Sequence, residues 1–328
     1  MNKNILIILN TIYHVEVALS LWKSLKLIGY NPTIFILWPN AVARYKLCEY
    51  LLHYNIDFIT DYVPGVCRAC FSKAIIVSAY PTIDRPDAIP GTGHPLLDEF
   101  KDEDKILIAH RIGMDKPVKS KILCVTPLAK QNNLDFIYLC ENPTDDDYIE
   151  PFNYPIKFLI QGNFFTNRRD LHLIEDFFYK TKCNNSIYHH FVFIGNNKGN
   201  SIFNFNHPSI VQLENLSEYD FYKEVRNCHF ILPLISSKTG NSTYTQERLS
   251  SSLSLAFCFN KPMVIAREIN EIYKAPALEY SNSDEFVSNI TELIKYRQSS
   301  YDSLVGYCKK KKEELRERNF KILVEHLN

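Results

Sequence analysis

Two α/β domains, each built on a parallel sheet, are what this sequence predicts, and three observations predict them. Short, unbroken apolar runs recur along the chain, each bounded by polar turn residues. Stretches with helical spacing lie between them. An acidic, proline-rich segment without periodicity, "PTDDDYIEPFNYP" at 143–155, divides the series near its middle. At 328 residues the chain is also long for one core and suits two domains.

The first series opens with "NILIILN" (4–10), a helix from Val15 to Leu27, "TIFILW" (33–38), a helix near 41–54 and "DFIT" (57–60). It continues with "AIIVSAY" (74–80), "KILIAH" (105–110), "KILCVTP" (121–127) and "FIYLCE" (136–141), all read as strands. Runs that are apolar at every position, not at alternate ones, indicate strands buried on both faces. The second series holds "IKFLIQG" (156–162), a helix over 170–181, "FVFIG" (191–195), "SIVQLE" (209–214) and a helix over 218–227. It ends with "HFILPLI" (229–235), a helix within "TYTQERLSSSLSLAFCFNKPMVIA", the strand "PMVIA" (262–266), and helices near 284–296 and 298–326. The predicted domains are residues 1–150 and 151–305, with a terminal helix at 306–328 packing back toward the first.

Lysine and arginine balance aspartate and glutamate at 37 each, which argues against a nucleic-acid partner. The nine cysteines show no secreted-scaffold density and several sit in apolar runs, so a reducing, cytoplasmic setting is expected. Cys67 and Cys70 form a CxxC with no second pair or nearby histidine, so they read as incidental thiols, not a metal or redox site. The apolar run at the N-terminus is far shorter than a membrane span and is a first strand.

Open parallel sheets bind ligands at the carboxyl ends of their strands, and two such sheets are expected to share a cleft. In "FLIQGNFFTNRRDLHLIEDFF", Gly162 allows close backbone approach, and Arg168 and Arg169 at a helix start could pair with phosphate oxygens. The competing reading is a tight turn with two solvated charges. In "TYTQERLSSSLSLAF" the helix start at Ser250, Ser251 and Ser252 offers small residues and hydroxyls beside unpaired N–H groups, a ready anion site. Glu247, just ahead of it, would suit a hydroxyl-bearing group attached to that anion. A weak helix start with a solvated glutamate is the alternative. A sugar diphosphate has the first layout.

These motifs resemble the nucleotide-sugar glycosyltransferases of the GT-B fold, closest to the retaining family 4 type. That family shows a glutamate, seven residues, a second glutamate, then a helix remnant ending in Gly-Lys-Pro. "ERLSSSLSLAFCFNKP" fits with Glu247 first, while Leu255 stands where the second, ribose-binding glutamate is usual. "LIQGNFFTNRRDLHLIEDF" resembles the diphosphate loop, with Asn163 in the usual arginine's place and Arg169 in the lysine's. "FVFIGNNKG", with Gly195, resembles the Ile-Gly-Asp-Gly turn, and "KILIAHRIG" resembles the strand whose histidine, here His110, faces the donor sugar. Leu216 and Thr245 complete the donor-side set.

The resemblance implies sugar transfer from a UDP- or GDP-sugar to a hydroxyl of a glycan or glycoconjugate, with no cofactor. No Asp-x-Asp stands at a strand end, because "DDD" (145–147) lies in the linker, so no metal is expected. Retention of anomeric configuration is expected. If the reaction inverts instead, His14 is the candidate base, against a capped, solvated histidine as its other reading. His94, flanked by Asp84, Asp87 and Asp98, marks an acceptor-side loop. "KKKKEELRER" (309–318) reads as one face of the terminal helix, and a peripheral membrane contact stays open. The rival readings are a sugar-nucleotide 2-epimerase and a non-catalytic two-lobed sugar-binding protein. The oligomeric state is left open.

Overall fold

The computed structural model describes residues 3–11, 14–79, 94–110, 120–132, 134–142, 144, 148–162, 169–182, 187–195, 207–237, 243–246 and 249–328. The chain forms two compact units, one of residues 1–146 with 247–249 and 314–328, and one of residues 147–246 with 250–313.

In the first unit the chain runs β1 (Asn4–Leu9), α1 (Val15–Leu27), β2 (Asn31–Ile36), α2 (Pro39–Val42), α3 (Leu47–His53), β3 (Phe58–Ile59), α4 (Val66–Cys70), β4 (Lys73–Ala79), β5 (Lys105–Ala109) and β6 (Lys121–Cys124). The strands pair in parallel in the order β3-β2-β1-β4-β5-β6. Leu6, Ile8, Phe35, Ile76 and Leu107 fill one core cluster, and α4 seals it with buried Cys67 while Cys70 is exposed. Neither cysteine is in a disulfide.

The second unit runs β7 (Ile156–Gln161), α5 (His172–Thr181), β8 (His189–Ile194), β9 (Ile210–Leu213), α6 (Glu218–Asn227), β10 (Phe230–Ile231), α7 (Thr243–Gln246), α8 (Ser251–Cys258), β11 (Met263–Ala266), α9 (Arg267–Tyr273), β12 (Ala277–Tyr280), α10 (Ser283–Ile294) and α11 (Gln298–Leu327). Its parallel sheet has the order β12-β11-β10-β7-β8-β9. Phe158 stacks between Phe191 and Phe230, each with ring centroids 5.4 Å away, so three adjacent strands share one aromatic layer. The last helix contributes to both cores. Lys312 donates to the Cys258 carbonyl in the second unit, while Arg316 makes a two-pronged ion pair with buried Glu141 in the first, at 2.7 and 3.0 Å.

Three expectations fail for local reasons. Residues 136–141 are not a strand, because only a single bridge, Cys124 to Phe136, forms. Asn319 then takes the place of a neighbouring strand, accepting from the Tyr138 N–H at 3.0 Å and donating to its carbonyl at 2.6 Å. The helix near 41–54 is broken at Lys46, whose left-handed backbone (φ 52°) ends one turn and starts α3. The strand expected over 229–235 stops early, since Pro233 has no N–H and Leu234 turns to φ 46°. Helices α4 and α9 and strand β12 were not anticipated. Among the described residues, no helix is long and apolar enough to cross a membrane.

Candidate functional site

The second sheet grows outward from β7 through β8 to β9, then resumes on the other side at β10. That reversal is a topological switch point, where open parallel sheets place a ligand crevice, here at the carboxyl ends of β7 and β10. Arg169 spans it. Its guanidinium, 5% exposed, donates to the Gln161 carbonyl at 2.6 Å and to the Pro233 carbonyl, closing the ends of both strands with one cation. Gly162 makes this possible: at φ 118° it holds a conformation side chains avoid, and a Cβ there would stand 2.8 Å from Arg169 Nη2.

The same strand end reaches α8. The Gln161 side-chain oxygen accepts from Ser251 Oγ at 2.9 Å and from Ser252 Oγ at 3.4 Å. Ser250 is the extended N-cap residue, and among the described residues no side-chain hydrogen bond caps the helix. Ser250 is 3% exposed, and its buried hydroxyl has no hydrogen-bond partner among the described residues. An uncapped helix start carries a partial positive charge and outward N–H groups, and Arg169 adds a full charge across Gln161. An anion placed at this corner would meet favourable charge.

The first unit repeats the topology, reversing between β1 and β4. Asn10, just past β1 and 1% exposed, donates to the Ser78 carbonyl at 2.7 Å and accepts from the Ser78 N–H at 2.9 Å, pinning the ends of β1 and β4 together. Next to them His110, after β5, places Nε2 2.9 Å from the Val77 carbonyl, so that nitrogen carries the proton. Its ring stacks on His14, with centroids 3.7 Å apart. Burial, and then the neighbouring His14, hold the His110 pKa well below the usual imidazole range, only partly opposed by its bond to Val77. His110 is therefore a neutral ring at ordinary pH. His14 lies 3.7 Å from the Glu16 carboxylate at the start of α1.

The expected residues thus fall into two groups. Gly162, Arg169, Ser250, Ser251 and Ser252 come together in the second unit, and His14 and His110 come together in the first. Gly195 and half-buried Leu216 follow β8 and β9 along the same carboxyl edge as Gln161, and Thr245 sits on α7. Leu255 is buried within α8 as a core residue. Glu247, Asn163, Arg168, Asp84 and Asp87 lie outside the described residues. His94 serves the fold, accepting from the Leu96 N–H at 3.2 Å and packing edge-on to Tyr62. Arg169 differs from expectation in direction, since its fork turns inward onto strand carbonyls. Sequence reasoning missed Gln161 and Asn10. The one available signal was position, as each is the polar residue at the end of an apolar run. Among the described residues, no group of three or more His, Cys, Asp or Glu side chains is placed to hold a metal ion.

No protein-family model matches the chain, and no curated protein does. Solved structures do. The N-terminal domain of trehalose-6-phosphate phosphatase from Candida albicans matches with TM-score 0.55 and 10% identity over 100% of this chain and 97% of that one. A mutant of T4 phage BGT in complex with UDP-glucose matches with TM-score 0.54 and 12% identity over 97% and 99%. The glycotransferase of kitacinnamycin matches with TM-score 0.50 and 10% identity over 99% and 98%. At such identities the likeness concerns architecture, and it establishes the fold: the chain has the two-domain α/β fold of the GT-B glycosyltransferases.

Proposed function

We propose that the chain is a glycosyltransferase that moves a sugar from a nucleoside diphosphate sugar, UDP- or GDP-linked, to a hydroxyl of a glycan or glycoconjugate, without a metal or other cofactor. One observation carries this reading: Arg169 and the uncapped, serine-lined start of α8 meet around Gln161 at the point where the second sheet reverses. A diphosphate placed there gains from the helix N–H groups and from the buried cation, and it gains most as charge builds on the leaving oxygen. The T4 phage BGT structure of the same fold holds UDP-glucose, which supports a nucleotide sugar as the ligand class.

In this reading the bond between the sugar C1 and the diphosphate oxygen breaks, and the acceptor oxygen bonds to C1. The acceptor proton passes to the departing phosphate oxygen if configuration is retained, as the resemblance to the family 4 type implies. Glu247 and His110 would orient donor-sugar hydroxyls, His110 as a neutral ring. His14 would act as base only in an inverting reaction. Gly162, Asn163, Arg168, Gly195, Leu216 and Thr245 would surround the nucleotide, with Leu255 leaving the ribose without its usual carboxylate.

The test is a panel of nucleoside diphosphate sugars incubated with glycan acceptors, with product detected by mass spectrometry. Transfer from one donor supports the reading. Binding of no nucleoside diphosphate would overturn it, and accumulation of epimerised donor without acceptor would replace it with the 2-epimerase.

A further inference from the structure

A second cavity lies wholly inside the second unit, where β11 and β12 end. It has a volume of about 260 Å³ and is lined by Asp170, Ser236, Arg267, Glu268, Glu271 and Tyr280 among others. It shares no lining residue with the Arg169 and Ser250–Ser252 corner. Pockets for drug-sized ligands run to roughly 300–1,000 Å³, so this one suits a single small ring and not a nucleotide.

Its chemistry is specific. Tyr280 is 4% exposed, its ring is held edge-on by Phe286 at 5.2 Å, and its hydroxyl has no hydrogen-bond partner among the described residues. A buried hydroxyl left unpaired costs stability, and a ligand that accepts its proton would remove that cost. Asp170 and Glu268 line the same cavity, and after burial they raise the Tyr280 pKa, with Arg169 acting in the opposite sense. Glu268 is itself fixed, accepting from Ser237 N–H at 2.5 Å and Ser237 Oγ at 2.7 Å. The one arginine of the wall is balanced elsewhere, by Glu279 at 3.5 Å and Glu285 at 3.8 Å.

A donor hydroxyl and carboxylate acceptors therefore line one cavity with no hydrogen bond between them. A ligand hydroxyl completes the set, because it accepts from Tyr280 and donates to a carboxylate at once. An ammonium group offers no acceptor for the tyrosine proton, and the carboxylates are not clustered closely enough among the described residues to hold a metal ion. We propose that this cavity is a carbohydrate subsite that takes one unit of a polyhydroxylated ligand, separately from the diphosphate corner.

The experiment titrates the full chain with the methyl glycosides of glucose, galactose and mannose, and with ethanolamine, using ligand-detected NMR and thermal shift. At least one glycoside should bind. Tyr280→Phe, which removes only the unpaired hydroxyl, should weaken that glycoside about tenfold while leaving the unliganded melting temperature unchanged or raised. Glu271→Gln, on the exposed rim, should weaken it too. UDP and GDP binding should be the same in both variants as in the unmodified protein, so this site and the diphosphate site succeed or fail separately. No glycoside binding, an undiminished affinity in Tyr280→Phe, or ethanolamine binding in place of the glycosides would overturn the proposal.

Discussion

The imidazoles of His14 and His110 stack face to face with centroids 3.7 Å apart at the carboxyl end of the first sheet. Burial, and then the neighbouring His14, keep His110 neutral, with its Nε2 proton committed to the Val77 carbonyl. A neutral ring of fixed tautomer can orient a sugar hydroxyl and is poorly suited to donating a proton. His110→Ala should lower the transfer rate about 100-fold, while the affinity for the nucleoside diphosphate changes less than about twofold. Steady-state kinetics beside calorimetry separates the two effects.

Gly162→Ala tests the crevice from the backbone. The added methyl meets a guanidinium held by two carbonyls, at a φ of 118° that alanine resists. A loss of about 1–3 kcal/mol in unfolding free energy is expected, measured in urea, together with weaker diphosphate binding.

Asn10→Ala removes the clasp between the ends of β1 and β4 and leaves both backbone groups of Ser78 without their side-chain partner. The site is 1% exposed, so water cannot replace the amide. A destabilisation of about 2 kcal/mol should appear as a lower urea midpoint.

Acid should weaken the fold before the carboxylates titrate. His229 accepts from the Lys157 N–H through Nδ1 at 2.9 Å, with Nε2 3.0 Å from the Pro151 carbonyl, an arrangement that needs a neutral ring. Burial, above all, lowers its pKa to about 4, and burial followed by the nearby His207 and His190 does the same for His189. Unfolded, both rings take protons near their ordinary pKa of about 6.5. The unfolded chain thus binds more protons between those values, so stability is complete above about pH 6.5 and declines as pH falls toward 4. Urea midpoints from pH 7.5 to 5 should drop steadily, and a flat profile would contradict this account of the two rings.

Much of the architecture was legible because uninterrupted apolar runs such as "NILIIL" and "IKFLI" can be stable only between two covered faces. The start of α8 at Ser251 was legible too, from small polar residues ahead of an apolar helix. What escaped is non-local. The run 136–141 looks like a strand, and only Asn319, far along the chain, decides otherwise by bonding both sides of Tyr138. Helix α9 follows β11 with no intervening turn residue, which hides the boundary from any local reading. Arg169 reads as an outward charge until the topology brings the Gln161 and Pro233 carbonyls together beneath it.

The central claim is that a diphosphate docks on the backbone N–H groups at the start of α8, and Ser251→Pro tests it most directly. Position 251 is the first helical residue, where proline is tolerated, and Ser250 is already extended at φ −87°, ψ 132°, as a residue before proline requires. The variant deletes one N–H and keeps the helix, and Ser251→Ala controls for the lost hydroxyl. Calorimetry with UDP and GDP should give binding to the unmodified chain, a modest loss in Ser251→Ala, and a further loss of about tenfold in Ser251→Pro with unchanged circular dichroism. Equal affinity in the alanine and proline variants would contradict the claim.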